Sequence, residues 1–122
     1  MIKGMGIDIV CINRIKAVMD RWGDRFLDRV FCDLEQVYCN SQTHPARGFA
    51  ARFCAKEAVF KLLTTGVDFR EVEVVRQVSG NPRIRLTGRA RQLAADRGID
   101  RIHLSLSHER KYAIAQVIGE GE

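Results

Sequence analysis

Apolar and polar positions alternate between two periods along this chain, and the switches mark its elements. Ile2 to Val10 is largely apolar, interrupted by Lys3, by Gly4 and Gly6, and by one acid, Asp8. That pattern predicts a buried strand whose glycines admit a bulge or a close backbone approach. Ile15, Val18 and Met19 then recur at helical spacing, so Asn13 is expected to cap a helix running through Arg21, with Trp22-Gly23 ending it. Asp24 restarts a short helix through Val30. Asp33-x-x-Gln36 resembles a capping box for a third, ending near Asn40. Pro45 suits the first turn of a long helix, with Gly66 its expected C-cap. This central helix spans about 18 residues, ~27 Å at the usual rise.

The second half reads differently. Phe69 to Val78 predicts a strand, Ser79-Gly80-Asn81-Pro82 a turn, and Arg83 to Thr87 an alternating, half-buried strand. Arg89 to Arg97 is a short amphipathic helix stopped by Gly98. Ile102 to Ser107 alternates again, and after a turn at His108 to Arg110 a last strand runs from Lys111 to Ile118. Two hairpins around helices give the α+β class. The expected architecture is a single domain over residues 1–122, its mainly antiparallel sheet packed against the long central helix.

Composition narrows the partners. The formal net charge is +5, mostly arginine, which favours an anionic partner: nucleic acid, a phosphorylated small molecule or an acidic protein. No apolar run approaches the ~20 residues of a membrane span, so no membrane association is expected. The start of the chain lacks a signal-peptide layout. Four cysteines without a C-x-x-C pair read as reduced thiols in a cytoplasmic protein.

Two carboxylates stand where apolar neighbours make them costly: Asp8 in a strand and Glu57 in the central helix. From Phe49 to Leu63 that helix is apolar almost all round, so it should be largely buried. Glu57 and Lys61 interrupt it at i, i+4, in the angular sector of the small Ala50 and Cys54, which is expected to form a cleft wall. On an exposed face the pair would be an ordinary helix-strengthening one, and Asp8 could equally cap the turn after its strand. Together with Arg52, Lys56 and Lys61 on the same helix, the two acids fit metal-dependent chemistry on a phosphate, since magnesium takes one or two carboxylates plus phosphates and waters. No P-loop, dinucleotide fingerprint or nucleophile elbow is present.

Gly6-Ile7-Asp8-Ile9-Val10, Arg52-Phe53-x-x-Lys56-Glu57-Ala58-x-x-Lys61 with Thr65-Gly66, Gly80-Asn81-Pro82-Arg83, and Leu104-Ser105-Leu106-Ser107-His108-x-x-x-Tyr112-Ala113-x-Ala115 span nearly the whole chain. They resemble the holo-acyl-carrier-protein synthases, the short bacterial branch of the 4'-phosphopantetheinyl transferases. The resemblance implies transfer of 4'-phosphopantetheine from coenzyme A to a serine of an acidic acyl carrier protein, in fatty acid biosynthesis. It further implies Mg2+ held by Asp8 and Glu57, with Glu57 activating the serine and Lys61 steadying the phosphate. Arg52, Lys56, Lys61, Gly66, Ser107 and His108 would bind coenzyme A, with Arg47 a further candidate. Arg14, Met19, Arg21, Arg25 and Phe26 would dock the carrier protein, and the assembly would be a homotrimer with sites between subunits.

The alternative is a basic, non-enzymatic RNA-binding module. It requires aromatic side chains exposed on a sheet face, and only Phe69 and Tyr112 fall in expected strands.

Overall fold

The computed structural model describes residues 1–122. In chain order it contains β1 (Ile2–Cys11), α1 (Ile12–Trp22), α2 (Asp24–Val30), α3 (Asp33–Asn40) and α4 (Pro45–Leu63). After a 3-10 turn at Phe69–Glu71 come β2 (Val72–Arg76), β3 (Pro82–Leu86), α5 (Gly88–Asp96), β4 (Arg101–His108) and β5 (Tyr112–Glu120). One sheet has the order β1-β5-β4 and the other is the β2-β3 hairpin; all pairings are antiparallel. The expected α+β architecture around a central helix is therefore the observed one.

Several boundaries differ, each for a local reason. Cys11 rather than Asn13 is the N-cap of α1, because β1 runs straight into the helix. The capping box of α3 sits one residue earlier than expected: Cys32 is the cap, and the Glu35 carboxylate accepts from the Cys32 N–H at 2.8 Å. Asp68 accepts from the Arg70 N–H, which curls Phe69–Glu71 into the 3-10 turn and delays the strand to Val72. Thr64, not Gly66, takes the left-handed position that ends α4, with φ 61°.

Most of α4 is buried, and it divides the core in two. Its first half packs Phe49, Ala50 and Ala51 against Ile12, Ile15, Leu27, Val30, Phe31 and Cys39 of the first three helices. Its second half packs Ala55, Ala58, Val59 and Leu62 against β2, β3, α5 and β5. The approach of β1 to α4 depends on Gly6: a Cβ there would lie 1.9 Å from the carbonyl oxygen of Ala58. Backbone meets backbone, and the residue two positions on along that face of β1 is Asp8.

Candidate active site

Asp8 reaches α4 from β1. Its Oδ1 accepts from the Lys61 ammonium at 3.1 Å, and the same ammonium donates to the Ile7 carbonyl at 2.9 Å. Its Oδ2 accepts a weak bond from the Cys54 thiol at 3.6 Å. Asp8 is 19% exposed and Lys61 55%, so the pair sits at a mouth open to solvent. Glu57 lies one turn before Lys61. Burial, and after it the nearby Asp8 carboxylate, raises the Glu57 carboxyl above its ordinary 4.5, while Lys61 pulls it back. Two carboxylates and one lysine thus come near one another at the crossing of β1 and α4, close enough for the Asp8 charge to act on Glu57.

The donor set limits which cation could be held there. No group of three His, Cys, Asp or Glu forms an all-protein metal cage anywhere in the chain. Two hard carboxylates, one of them made less acidic by burial and then by the other, would instead suit a Mg2+-like ion that draws its remaining ligands from substrate phosphates and water.

A second feature is a cleft of about 790 Å³ between α3, the first half of α4, the β2–β3 turn and β4. Arg47, Arg52 and Arg76 line it, with His44, His108, Asn81 and Tyr38. No acidic side chain lines it, so its charge favours an anion. Asp8, Glu57 and Lys61 do not line this cleft within one chain.

Of the residues expected around a ligand, Arg52 and His108 line the cleft, as does Arg47. Lys56 does not. Its side chain is wholly buried, pairs with Glu35 at 2.8 Å and donates to the Phe69 and Val72 carbonyls. Glu35 in turn accepts from the Val74 N–H at 2.9 Å, so the pair ties α3 and α4 to β2. Lys56 is therefore a structural ion, paired and hydrogen-bonded as a buried charge must be. Ser107 is exposed and outside the cleft, which β4 reaches through Leu104, Ser105, Leu106 and His108. Gly66 is exposed beyond the end of α4, also outside the cleft. Ala50 and Cys54 are fully buried against the sheet, Cys54 donating to the Ala113 carbonyl, so they are core rather than cleft wall. The wall is made by Gly48, Ala51 and Arg52.

Arg14, Arg21 and Arg25 are exposed on α1 and α2, beside half-buried Met19 and Phe26. Trp22, 47% exposed, carries the Arg21 guanidinium 5.1 Å and the Arg25 guanidinium 5.8 Å from its ring centre. Helical periodicity treated Trp22 only as a terminator; its aromatic surface among arginines was the available signal. Tyr38, Gln42, Thr43 and Arg76 were not anticipated in the cleft, because a loop and a hairpin turn bring them there.

The RNA-binding alternative loses its platform. Phe69 lies in the 3-10 turn, its ring 5.6 Å from Phe53 and 5.0 Å from Phe60, which leaves Tyr112 as the exposed strand aromatic.

Comparison with known proteins gives a consistent answer. A family model described as the 4'-phosphopantetheinyl transferase superfamily matches residues 4–117. The holo-[acyl-carrier-protein] synthase of Halothermothrix orenii is 48% identical over 98% of this chain and 98% of its own length. The crystal structure of the Neisseria meningitidis holo-[acyl-carrier-protein] synthase superposes with a TM-score of 0.88 at 32% identity, covering 98% of this chain and 99% of that one. That of the Helicobacter pylori synthase in complex with coenzyme A gives 0.83 at 29% identity, covering 95% of this chain and 99% of that one. With matching architecture, motifs and length, the chain belongs to the 4'-phosphopantetheinyl transferase superfamily, among its holo-[acyl-carrier-protein] synthases.

Proposed function

We propose that this protein transfers 4'-phosphopantetheine from coenzyme A to a serine of apo-acyl carrier protein, releasing adenosine 3',5'-bisphosphate, in fatty acid biosynthesis. The observation that carries this reading is the convergence of Asp8, Glu57 and Lys61 where β1 crosses α4. In the reaction the serine oxygen bonds to the phosphorus next to the pantetheine, and that phosphorus loses its bond to the bridging oxygen of the pyrophosphate. Serine is a poor nucleophile at neutral pH and needs a base. Glu57, less acidic than a free carboxylate, takes the hydroxyl proton directly or through a water. Lys61 offers its exposed ammonium to the phosphate being cleaved. Asp8 and Glu57 would hold Mg2+, which neutralises pyrophosphate charge when bound. The leaving bisphosphate needs little further help.

The basic cleft takes the anionic end of the donor through Arg47, Arg52 and His108. Arg14, Arg21 and Arg25 receive an acidic helix of the carrier protein, steering it by charge. The outer face of the β1-β5-β4 sheet supports the homotrimer. Met5, Ile7 and Ile9 stand on it 59%, 52% and 60% exposed, a contiguous apolar stripe of the kind that marks an interface. A homotrimer with its sites between subunits would bring the cleft of one subunit to the carboxylates of another, a reading supported by their separation within one chain. Four free thiols fit a reducing cytoplasm, and no helix is long and apolar enough to cross a membrane.

The test is a mass measurement. Apo-carrier protein incubated with the protein, coenzyme A and magnesium should gain the mass of phosphopantetheine; an unmodified carrier that a known transferase readily modifies would reject the reading. Glu57→Gln should abolish transfer with the fold intact, and retained activity would remove Glu57 from the mechanism.

A further inference from the structure

Arg52 is in an unusual electrostatic position. It is 6% exposed, yet no carboxylate pairs with it. Its Nη1 donates to the Gly48 carbonyl at 3.3 Å, and its buried Nε has no hydrogen-bond partner. A buried cation with a free donor is costly unless something completes it. What it touches is Tyr38, at the end of α3: the guanidinium carbon lies 4.6 Å from the ring centre. The same ring carries a second guanidinium, that of Arg76 at the end of β2, 4.4 Å from its centre. Arg76 also lacks a carboxylate partner. Three separate elements thus bring two uncompensated cations onto one aromatic ring, inside the basic cleft.

The spacing is informative. Both charged carbons are held to one centroid, so they are no farther apart than the sum of the two distances, about 9 Å. A tetrahedral phosphate at the edge of the ring, rather than between the two cations, can accept charge-assisted bonds of ~2.8 Å from both forks. Without the ring the two guanidiniums would repel and disperse, Arg76 most freely because it is exposed. The ring quadrupole offsets that repulsion before a ligand arrives. The Tyr38 hydroxyl is used in neither contact.

We propose that Tyr38 is a positioning residue that holds Arg52 and Arg76 as a preorganised pair for a phosphomonoester dianion, and so sets the enzyme's preference for a 3'-phosphorylated donor. This rests on the reading of the donor as coenzyme A. Of that molecule's phosphates only the 3'-phosphate is a monoester, able to carry two charges and present three oxygens to two forks. Tyr38 itself touches no reacting atom; it acts through the two arginines.

The experiment measures kcat and KM for coenzyme A and for 3'-dephospho-coenzyme A in the wild type, Tyr38→Leu, Tyr38→Phe and Arg76→Met. Tyr38→Leu should raise KM for coenzyme A about tenfold, part of the value of one charge-assisted hydrogen bond. Its kcat should stay within twofold, and KM for the dephospho donor should not move. Tyr38→Phe keeps the ring and should match the wild type. Arg76→Met, a change at an exposed side chain that does not threaten the fold, should show the same donor-selective rise and decides the matter if Tyr38→Leu does not fold. An equal rise for both donors, a phenylalanine variant as impaired as the leucine one, or an Arg76→Met protein with unchanged discrimination would each overturn the proposal. A wild type that transfers nothing from either donor would instead reject the reading of the reaction. A wild type that uses both donors equally overturns the role of Tyr38 alone.

Discussion

Replacing Gly6 with alanine tests the link between packing and chemistry most directly. The new methyl carbon would sit 1.9 Å from the Ala58 carbonyl oxygen, 2.9 Å from its carbon and 3.0 Å from the Leu62 nitrogen. Ordinary contact begins near 3.4 Å, so β1 and α4 must separate by about 1.5 Å along that contact. The obstacle is helix backbone in the C-terminal half of α4, so no side chain can rotate away to absorb it. Overpacking of this kind costs ~1–3 kcal/mol. Asp8 follows Gly6 on the same face of β1, so its 3.1 Å bond to Lys61 and its proximity to Glu57 move with the strand. Misplacement of a reacting group by ~1 Å lowers turnover by up to ~10²-fold. Gly4→Ala is the matched control, because its methyl meets only the end of the Leu62 side chain, at 3.1 Å. Urea unfolding and the carrier-protein mass-shift rate should therefore separate the two: Gly6→Ala loses both stability and rate, while Gly4→Ala costs under ~1 kcal/mol. A Gly6→Ala protein that unfolds and turns over like the wild type would refute the close-approach explanation for where Asp8 sits.

Lys56→Met should destabilise by ~3–5 kcal/mol, because it strands the Glu35 carboxylate in the interior; a urea midpoint near that of the wild type would show the pair to be dispensable. Cys39 is fully buried, and burial pushes its thiol from 9.0 up to about 11. Below pH 9 neither state ionises and nothing is lost. Between pH 9 and about 11 the unfolded chain releases a proton that the native chain retains, so stability falls as pH rises through that window. Cys39→Ala should flatten that part of the stability–pH curve, and native Cys39 should resist iodoacetamide at pH 8 until urea is added. Ile7→Asp places a charge on the apolar outer face of β1 and should convert the proposed trimer to monomers in sedimentation analysis, with loss of transfer; an unchanged mass would exclude that face from the interface.

The two acids proposed for the site were legible because each interrupts apolar surroundings. Asp8 interrupts a β-branched run and Glu57 an apolar helix, and it was the two together, more than either alone, that set aside a turn cap and an ordinary helix pair. Most elements were legible for the opposite reason, since each has one period and clear terminators. Lys56 was not legible. On the helix it looks like any lysine beside a glutamate, and its true partner, Glu35, belongs to another helix. Long-range pairing of two buried charges leaves no trace in periodicity. Ser107 shows a similar limit: adjacency to His108 in sequence says little in a strand, whose successive side chains point to opposite faces. The cap at Cys32 was missed because Asp33 is the better capping residue by type, yet Glu35 reaches only the N–H three residues before it.

The pairing of β1 with β5 also governs when the protein becomes competent. Ile7 lies in register opposite Gln116, and Asp8 opposite Ala115. During synthesis β1 emerges first and must remain an unpaired edge, carrying Met5, Ile7 and Ile9, while the central helix and the hairpin are made. The helices can condense from local contacts, whereas β1 closes only a long loop, a slow step of high contact order. Asp8 is thus placed against Glu57 and Lys61 late, so a nascent chain is exposed to aggregation before it is able to catalyse anything.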